Sequence, residues 1–254
     1  MKKILSACIL FSLFACNDQK TESKEKEGSG TAASENKPAS GCGKLILFHK
    51  GAVIEGTSYD GAGNETSKTT TTVNNVQHEG GVLTATSSGL MKSAATGDKT
   101  MNYVYKCDGN NLYMDINSMI QNFEGLNHMK GNIKPLQFPV NISVGQKLPD
   151  ASYTVSIDKG VKMDVTSIYK NRTVAAIEKI TTTAGSWDCY KVTTDIDSDV
   201  QGLDEATKKI MEAVKAKMKM SMAMWYNPEM GIVRMEMYNA GKVNMRTDIT
   251  SVKY

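Results

Sequence analysis

Methionines are the residues in this sequence whose spacing could most directly do chemistry. Four of them occupy every second position before a turn, and two more alternate in the same way after it. Thioether sulfur suits Cu(I), and Met-x-Met spacing is a metal-binding pattern in disordered segments. The same period of two is also that of a strand with one buried face. The six residues are Met218, Met220, Met222, Met224, Met235 and Met237.

Three interpretations of these methionines remain: a packed core, the wall of an apolar pocket, or a soft-metal site. Lys217 and Lys219 take the intervening positions, which favours a strand with one wet face over a loose metal-binding tail. Methionine is also a flexible filler of irregular apolar space. We therefore expect core before pocket wall, and pocket wall before copper, and we predict no metal site.

Acidic residues suggest a second metal, calcium. Asp195, Asp197 and Asp199 form the D-x-D-x-D opening of a calcium loop. An EF-hand then requires glycine next and glutamate at the twelfth position, where this chain has Val200 and Ala206. The match fails at the residues that shape and close the loop, so the pattern indicates a solvated strand end.

Catalytic templates are absent from the sequence. It has no G-x-S-x-G elbow, no Walker glycine loop and no H-E-x-x-H. The three histidines, His49, His78 and His128, are isolated in sequence. We therefore expect no catalytic residues, no cofactor and no enzymatic activity.

Cysteine pairing is the next question. Cys42, Cys107 and Cys189 remain after the N-terminal region, and an odd number leaves one thiol over. We predict a Cys107–Cys189 disulfide, because both residues lie in predicted strands. A bridge from Cys42 to one of them is the main alternative.

The N-terminus has the organisation of an export signal. Lys2 and Lys3 precede an apolar stretch from Ile4 to Ala15, which is too short to span a bilayer. Leu13-Phe14-Ala15-Cys16 then resembles a bacterial lipobox, in which the cysteine is lipidated. We predict a signal peptide at residues 1–16, lipidation of Cys16, and an outer-membrane lipoprotein that faces the periplasm or the cell surface.

Residues 17–41 have the composition of a disordered tether, rich in Lys, Glu, Ser, Thr, Gly and Ala. No later stretch approaches the apolar length of a membrane-spanning helix, so lipid is the membrane attachment that the sequence predicts. The net charge is only +3 and the lysines are scattered along the chain, so we expect no nucleic-acid partner. Residues 42–254 form the predicted folded domain.

Short β-prone runs separated by turn signals fill the folded domain. The methionine strand is followed by Asn227-Pro228 and Gly231, and the return arm at 232–238 alternates again, which predicts a hairpin. Asn171-Arg172 is another predicted turn. Runs of about ten residues are typical of a sandwich, meander or barrel. We predict one antiparallel β domain, a strongly curved sheet or open barrel or sandwich.

Two stretches interrupt the β pattern. Residues 203–214 have helical apolar spacing with early acids and later lysines, which predicts one helix packed on the sheet. Residues 116–123 could form a short helix. The long loop at 125–139 is the expected rim of an opening or binding site, because loops of that length are uncommon without a role.

Three motifs resemble a family of exported Bacteroidetes proteins called TapB-like, a domain of unknown function. They are Tyr105-Lys106-Cys107-Asp108-Gly109 with Tyr113-Met114-Asp115, Ala184-Gly185-Ser186-Trp187-Asp188-Cys189-Tyr190-Lys191, and Trp225-Tyr226-Asn227-Pro228 with Gly231-Ile232-Val233-Arg234. The resemblance covers about residue 42 to the C-terminus. It implies an antiparallel β domain in the cell envelope and brings no catalytic residues.

Two functions follow as hypotheses. The first is a non-catalytic envelope lipoprotein that interacts with another envelope protein or has a structural role. The second is a carrier whose apolar cavity holds a lipid or another hydrophobic ligand. The sequence leaves the ligand or partner open, and also whether the sheet encloses a cavity.

Overall fold

The computed structural model describes residues 41–115, 128–129, 134–158, 162–205, 208–209 and 219–254. Several predictions therefore lie outside the described residues: the signal peptide, the lipidation of Cys16, the tether up to residue 40, the helix at 116–123 and the position of Met218. The predicted helix at 203–214 lies mostly outside them. Within it, the Lys208 N–H donates to the Asp204 carbonyl at 2.8 Å, a single bond of helical spacing.

Within these residues, one antiparallel sheet of thirteen strands forms the domain, which confirms the predicted fold class. Its spatial order follows the chain from β8 to β13, continues with β1 beside β13, and ends at β5 and β7. The strands are β1 Val53–Asp60, β2 Glu65–Glu79, β3 Val82–Lys92, β4 Lys99–Cys107, β5 Asn111–Asp115, β6 His128–Met129, β7 Leu136–Pro139, β8 Ala151–Asp158, β9 Lys162–Thr182, β10 Gly185–Gln201, β11 Met220–Asn227, β12 Gly231–Asn239 and β13 Lys242–Lys253.

The two edges of this sheet meet along the segment that contains β6 and β7. β6 pairs with β8, Lys134 forms an antiparallel bridge with Ser152 of β8, and β7 pairs with β5. The sheet is therefore nearly closed and barrel-like. The prediction of a long loop at 125–139 is wrong for residues 136–139, because Leu136 and Phe138 alternate into the interior and their backbone pairs with β5. Residues 125–127 and 130–133 lie outside the described residues.

The interior side of β11, β12 and β13 is lined by methionine. Met222 pairs with Met237, which pairs with Met245, and Met224 pairs with Met235. All five are buried. The predicted hairpin is confirmed, with Gly231 at a φ of 79° after the turn. Alternation thus directed these side chains inward, where both the core and the pocket-wall interpretations place them.

Small hydroxyl side chains line the interior of β1, β2 and β3. Ser58 Oγ is hydrogen-bonded to Thr247 Oγ1 at 2.9 Å, which joins this wall to the methionine wall. Gly89 leaves room for the ring of Tyr103, since a Cβ there would lie 2.8 Å from a ring carbon. The hydroxyl wall comprises Ser58, Ser67, Thr69, Thr71 and Ser87, all buried.

The chain before β1 fills one end of the barrel. Leu45, Ile46 and Leu47 are at most 2% exposed, and the Ile46 N–H donates to the carbonyl of Glu229 at 3.0 Å. Gly41 lies directly against Val140. We call this end, which carries the turns at 108–110, 183–184 and 228–230, the tether end, and the end with the turns at 61–64 and 240–241 the far end.

A disulfide fixes this N-terminal segment to β4. Cys42 is bonded to Cys107, with 6.3 Å between their Cα atoms, and Cys189 is a buried free thiol. The predicted Cys107–Cys189 bridge is wrong. Cys107 faces the barrel interior beside Leu112, whereas Cys189 lies on β10 with its side chain toward the outer face. The sheet wall separates them, and the buried segment at 42–48 brings Cys42 to Cys107 instead.

We predict that unreduced peptide mapping of the oxidised protein recovers a Cys42–Cys107 peptide, with Cys189 alkylated only after unfolding. Loss of this bridge in a Cys42→Ser variant should lower stability by about 2 to 4 kcal/mol on the loop-closure account. Cys189→Ala is the matched control, because it removes a buried thiol without opening a loop. Recovery of a bridged peptide that contains Cys189 would contradict this pairing.

Candidate functional site

The D-x-D-x-D sequence at 195–199 lies within β10, and its carboxylates are bound by other side chains. Asn171 Nδ2 donates to Asp195 Oδ2 at 2.8 Å, and Lys170 Nζ lies 3.0 Å from Asp197 Oδ2. Gln201 Nε2 donates to Asp199 at 3.3 Å. Among the described residues, no group of three or more His, Cys, Asp or Glu side chains is arranged to hold a metal ion.

The β9–β10 hairpin is the feature that most changes the outer surface of the barrel. The end of this hairpin at residues 180–187 extends beyond the part of β10 that pairs with β11 and reaches β13. Thr183 Oγ1 donates to the carbonyl of Thr250 at 2.9 Å. The Thr250 hydroxyl in turn lies 3.1 Å from that of Thr57, on β1. The hairpin tip is thus held over the outer face of β13.

A carboxylate, an ammonium group and an indole meet on the outer face of the neighbouring strands β9, β10 and β11. Trp225 Nε1–H donates to Glu178 Oε2 at 2.7 Å, and Lys191 Nζ donates to Glu178 Oε1 at 2.9 Å. The Lys191 ammonium also lies 5.0 Å from the centroid of the Trp225 ring, a cation–π contact. These two donors, Trp225 first, hold the pKa of the Glu178 carboxyl below its ordinary value.

A second charged group continues across β12 and β13. Arg234 donates to both carboxylate oxygens of Asp248, and Arg246 Nε lies 3.2 Å from one of them. The hydrogen bond from Arg234 to Asp248 raises the pKa of the Arg234 guanidinium. Arg246 in turn stacks over the ring of Tyr59 at 4.8 Å. The outer face from β9 to β1 is therefore ordered by charge pairs.

Cys189 lies beneath this hairpin and not in a reactive position. Its side chain is fully buried, and its Sγ lies 3.6 Å from the Trp187 carbonyl. Burial raises the pKa of the Cys189 thiol to about 12. A thiol that stays protonated at neutral pH is a poor nucleophile, so Cys189 acts as a small packed side chain.

Two open hollows flank the point where the hairpin tip is held. The first, of about 500 Å³, lies between the tip and the outer face of β1, β2 and β3, with Thr57, Lys68, Leu90 and Lys92 in its lining. The second, of about 540 Å³, is lined by Trp187, Met230 and Val252. Thr183 and Thr250 border both. Leu90 is 41% exposed in the first.

Sequence reasoning did not predict these hollows. Ala184-Gly185-Ser186-Trp187 belongs to one of the motifs of the family resemblance, but nothing in a sequence pattern indicates that a hairpin tip folds back over a third strand. Gly185 is the one available signal. Its φ of 151° is a conformation that glycine adopts and that other residues rarely do, and a Cβ there would lie 3.0 Å from the Trp187 ring. Met220 is half-buried near the far end, and the five described methionines of the predicted set line neither of these hollows.

A family model described as DUF3108-like matches residues 49–248. The chain belongs to the DUF3108-like family. Comparison with curated proteins finds no significant match. The name TapB-like stays a prediction, and the predicted resemblance to β-rich proteins of Bacteroidetes is supported at the level of the fold.

Two crystal structures resemble this DUF3108-like chain. One is of a candidate exported protein with a YmcC-like fold from Bacteroides fragilis NCTC 9343, at 18% identity, with a TM-score of 0.61, covering 81% of this chain and 97% of its own. The other is of a candidate lipoprotein from Parabacteroides distasonis ATCC 8503, also at 18% identity and with a TM-score of 0.61. It covers 80% of this chain and 95% of the lipoprotein's chain. At this identity they show a shared fold.

The described part of this DUF3108-like protein contains no helix long and apolar enough to span a bilayer.

We predict that Glu178→Gln lowers the melting temperature at about pH 7, and that this effect shrinks as the pH is lowered below the ordinary carboxyl pKa of 4.5. The folded-state pKa of Glu178 lies below its ordinary value of 4.5, so its stabilisation is present above that value and is lost as pH falls through the folded pKa. Glu229→Gln, whose side chain is 63% exposed and 3.7 Å from Lys44, is the control. A Glu178 effect that stays constant across this pH range would contradict the assignment.

Proposed function

We propose that this protein is a non-catalytic interaction domain of the cell envelope, anchored by lipid at Cys16, that binds a protein partner at the two hollows beside the β9–β10 hairpin tip. The observation that carries this proposal is the seating of that tip. One side-chain hydrogen bond, from Thr183 to the Thr250 carbonyl, separates two open hollows on an otherwise charged outer face.

The chemistry of the hollows suits a protein surface. The second hollow offers an aromatic ring, a thioether and a valine, and aromatic and methionine side chains are enriched in interface cores. The first places the exposed Leu90 among threonines and the two lysines Lys68 and Lys92. An apolar centre with a polar surround is the usual arrangement of binding energy in an interface.

An envelope location is part of the proposal. The lipobox ending at Cys16 supports it, and one structural neighbour is a candidate exported protein while the other is a candidate lipoprotein. The disulfide between Cys42 and Cys107 suits an oxidising compartment outside the cytoplasm, and within the envelope we propose the outer membrane.

Site-specific photocrosslinking in the living host tests the partner site. A photoreactive residue at Leu90 or Trp187 should give the same discrete adduct, and one at Val243, which is 37% exposed at the far end, should give none. Thr183→Val should reduce both adducts because it removes the bond that holds the tip. Thr181→Val, which removes a hydroxyl bonded to Ser186 on the same hairpin, is its control. Equal labelling at all three positions would refute the site.

A carrier function is the second candidate, and the hydroxyl wall is the observation that favours it. The side-chain oxygens of Thr69, Thr71 and Ser87 are buried and have no hydrogen-bond partner among the described residues. Leaving a buried hydroxyl unpaired costs about 1 to 3 kcal/mol, so such groups call for an explanation. A hydrophobic ligand with one polar group would satisfy them while its apolar part contacts the adjoining methionine wall.

Native mass spectrometry of the lipidated protein taken from its host membrane tests this candidate. A carrier should retain a small molecule, and Thr71→Val should lower the retained fraction by removing one partner of its polar group. Thr70→Val alters the exposed neighbour on the same strand and should leave retention unchanged. If neither wild type nor Thr70→Val retains a ligand, and Thr71→Val only raises the melting temperature, the hydroxyls are unpaired core and the carrier function is excluded.

A further inference from the structure

We propose that the tether end of the barrel lies on the lipid surface, with Val144 and Ile177 inserted among the headgroups. This inference rests on the proposed anchor at Cys16 and concerns a separate contact. The bilayer is the partner because of where the chain leaves the barrel and what is exposed there.

The first observation is the exit point of the chain. Gly41 lies against Val140, and the Val140 N–H donates to the carbonyl of Asn110 at 2.7 Å, so the exit is fixed to the turn after β4. Residues 16 to 41 span at most about 85 Å when fully extended. A lipid on Cys16 therefore keeps the tether end within this distance of the membrane, which raises the effective concentration of a weak contact there.

The second observation is an exposed apolar pair beside this exit. Val144 is 53% exposed and Ile177 is 55% exposed, the highest values among the large apolar side chains identified as exposed in the described chain. The Gly145 N–H donates to the Val174 carbonyl at 2.8 Å, which fixes the loop bearing Val144 to β9. Ile177 lies three residues further along the same strand, a distance of about 10 Å. The loop that bears Val144 and the part of β9 that bears Ile177 are therefore neighbours.

Lysines flank this pair. Lys147 forms a bridge with Thr173 of β9, and Lys179 follows Ile177 by two residues on the same side of the strand. Both are exposed. Apolar side chains with lysine at their margin are typical of contacts with the headgroup and acyl boundary. Asp188 faces Lys179 across the hairpin, so the contact is mainly apolar and should not require anionic lipid.

The tether end thereby differs from the far end in what it exposes. Val243 is next to the turn at 240–241, and it is less exposed than either Val144 or Ile177. The segment that leads toward Cys16 leaves the barrel at the other end, at Gly41. It therefore provides a matched apolar position at the opposite end of the same barrel.

Hydrogen–deuterium exchange of the lipidated full chain on phosphatidylethanolamine–phosphatidylglycerol vesicles tests the orientation, with the detergent-solubilised protein as reference. Amides at 141–147 and 174–180 should exchange more slowly on vesicles, and those at 61–64 and 240–243 should not change. A double variant, Val144→Asp with Ile177→Asp, should lose that protection while it keeps the wild-type melting temperature, because both sites are exposed. Val243→Asp should retain it.

The outcomes separate this inference from the anchor. A mass spectrum that shows Cys16 without acyl chains would refute both the anchor and the membrane contact. Acylated protein with equal protection at both ends, or with protection that survives the double variant, would overturn the membrane contact and leave the anchor intact. Protection on phosphatidylethanolamine–phosphatidylglycerol vesicles that disappears on phosphatidylcholine vesicles would show a charge-driven contact and refute the apolar one.

Discussion

Closing the sheet depends on a buried guanidinium. Arg172 is 1% exposed, and it donates to the carbonyls of Pro149 at 2.7 Å and Gln137 at 3.1 Å. Those carbonyls belong to the segments before β8 and within β7, which are the two edges that must meet. Its guanidinium also stacks 5.3 Å from the centre of the Phe138 ring. The Arg172 side chain thus provides hydrogen-bond donors for backbone carbonyls that would otherwise be unpaired where the two edges of the sheet meet.

Burial of this charge has a cost that the surroundings only partly offset. Desolvation lowers the pKa of Arg172 to about 10, and nearby Asp150 opposes that shift. Its Nε has no hydrogen-bond partner among the described residues. The arrangement persists because removing the charge would leave two carbonyls unsatisfied at the seam, and unpaired buried backbone groups are themselves costly.

The position of Arg172 has a local cause in the residue before it. Asn171 has a φ of 55°, a conformation that asparagine tolerates better than most residues, and the β9–β10 register shifts around it. This bulge directs Arg172 inward and bends β9, whose remaining length then carries the hairpin past β11. Closure of the barrel and the reach of the hairpin tip are therefore consequences of the same strand. The interior is left to methionine and hydroxyl groups, while the charge pairs gather on the outer face.

The alternation of side chains was sufficient to predict the β class, the hairpin at 220–239 and the inward direction of Met222, Met224, Met235 and Met237, because the period of a strand is a local property. Long-range choices were not available to it. Asn171-Arg172 has the composition of a turn, and only the pairing of both neighbours with β10 makes it a bulge. The pairing of Cys42 with Cys107 required knowing which face of the sheet each cysteine occupies. The two hollows required a hairpin tip to contact a strand 67 residues away, at Thr250. Contacts between residues distant in sequence are set by how the closed sheet folds back on itself, and no local pattern records that.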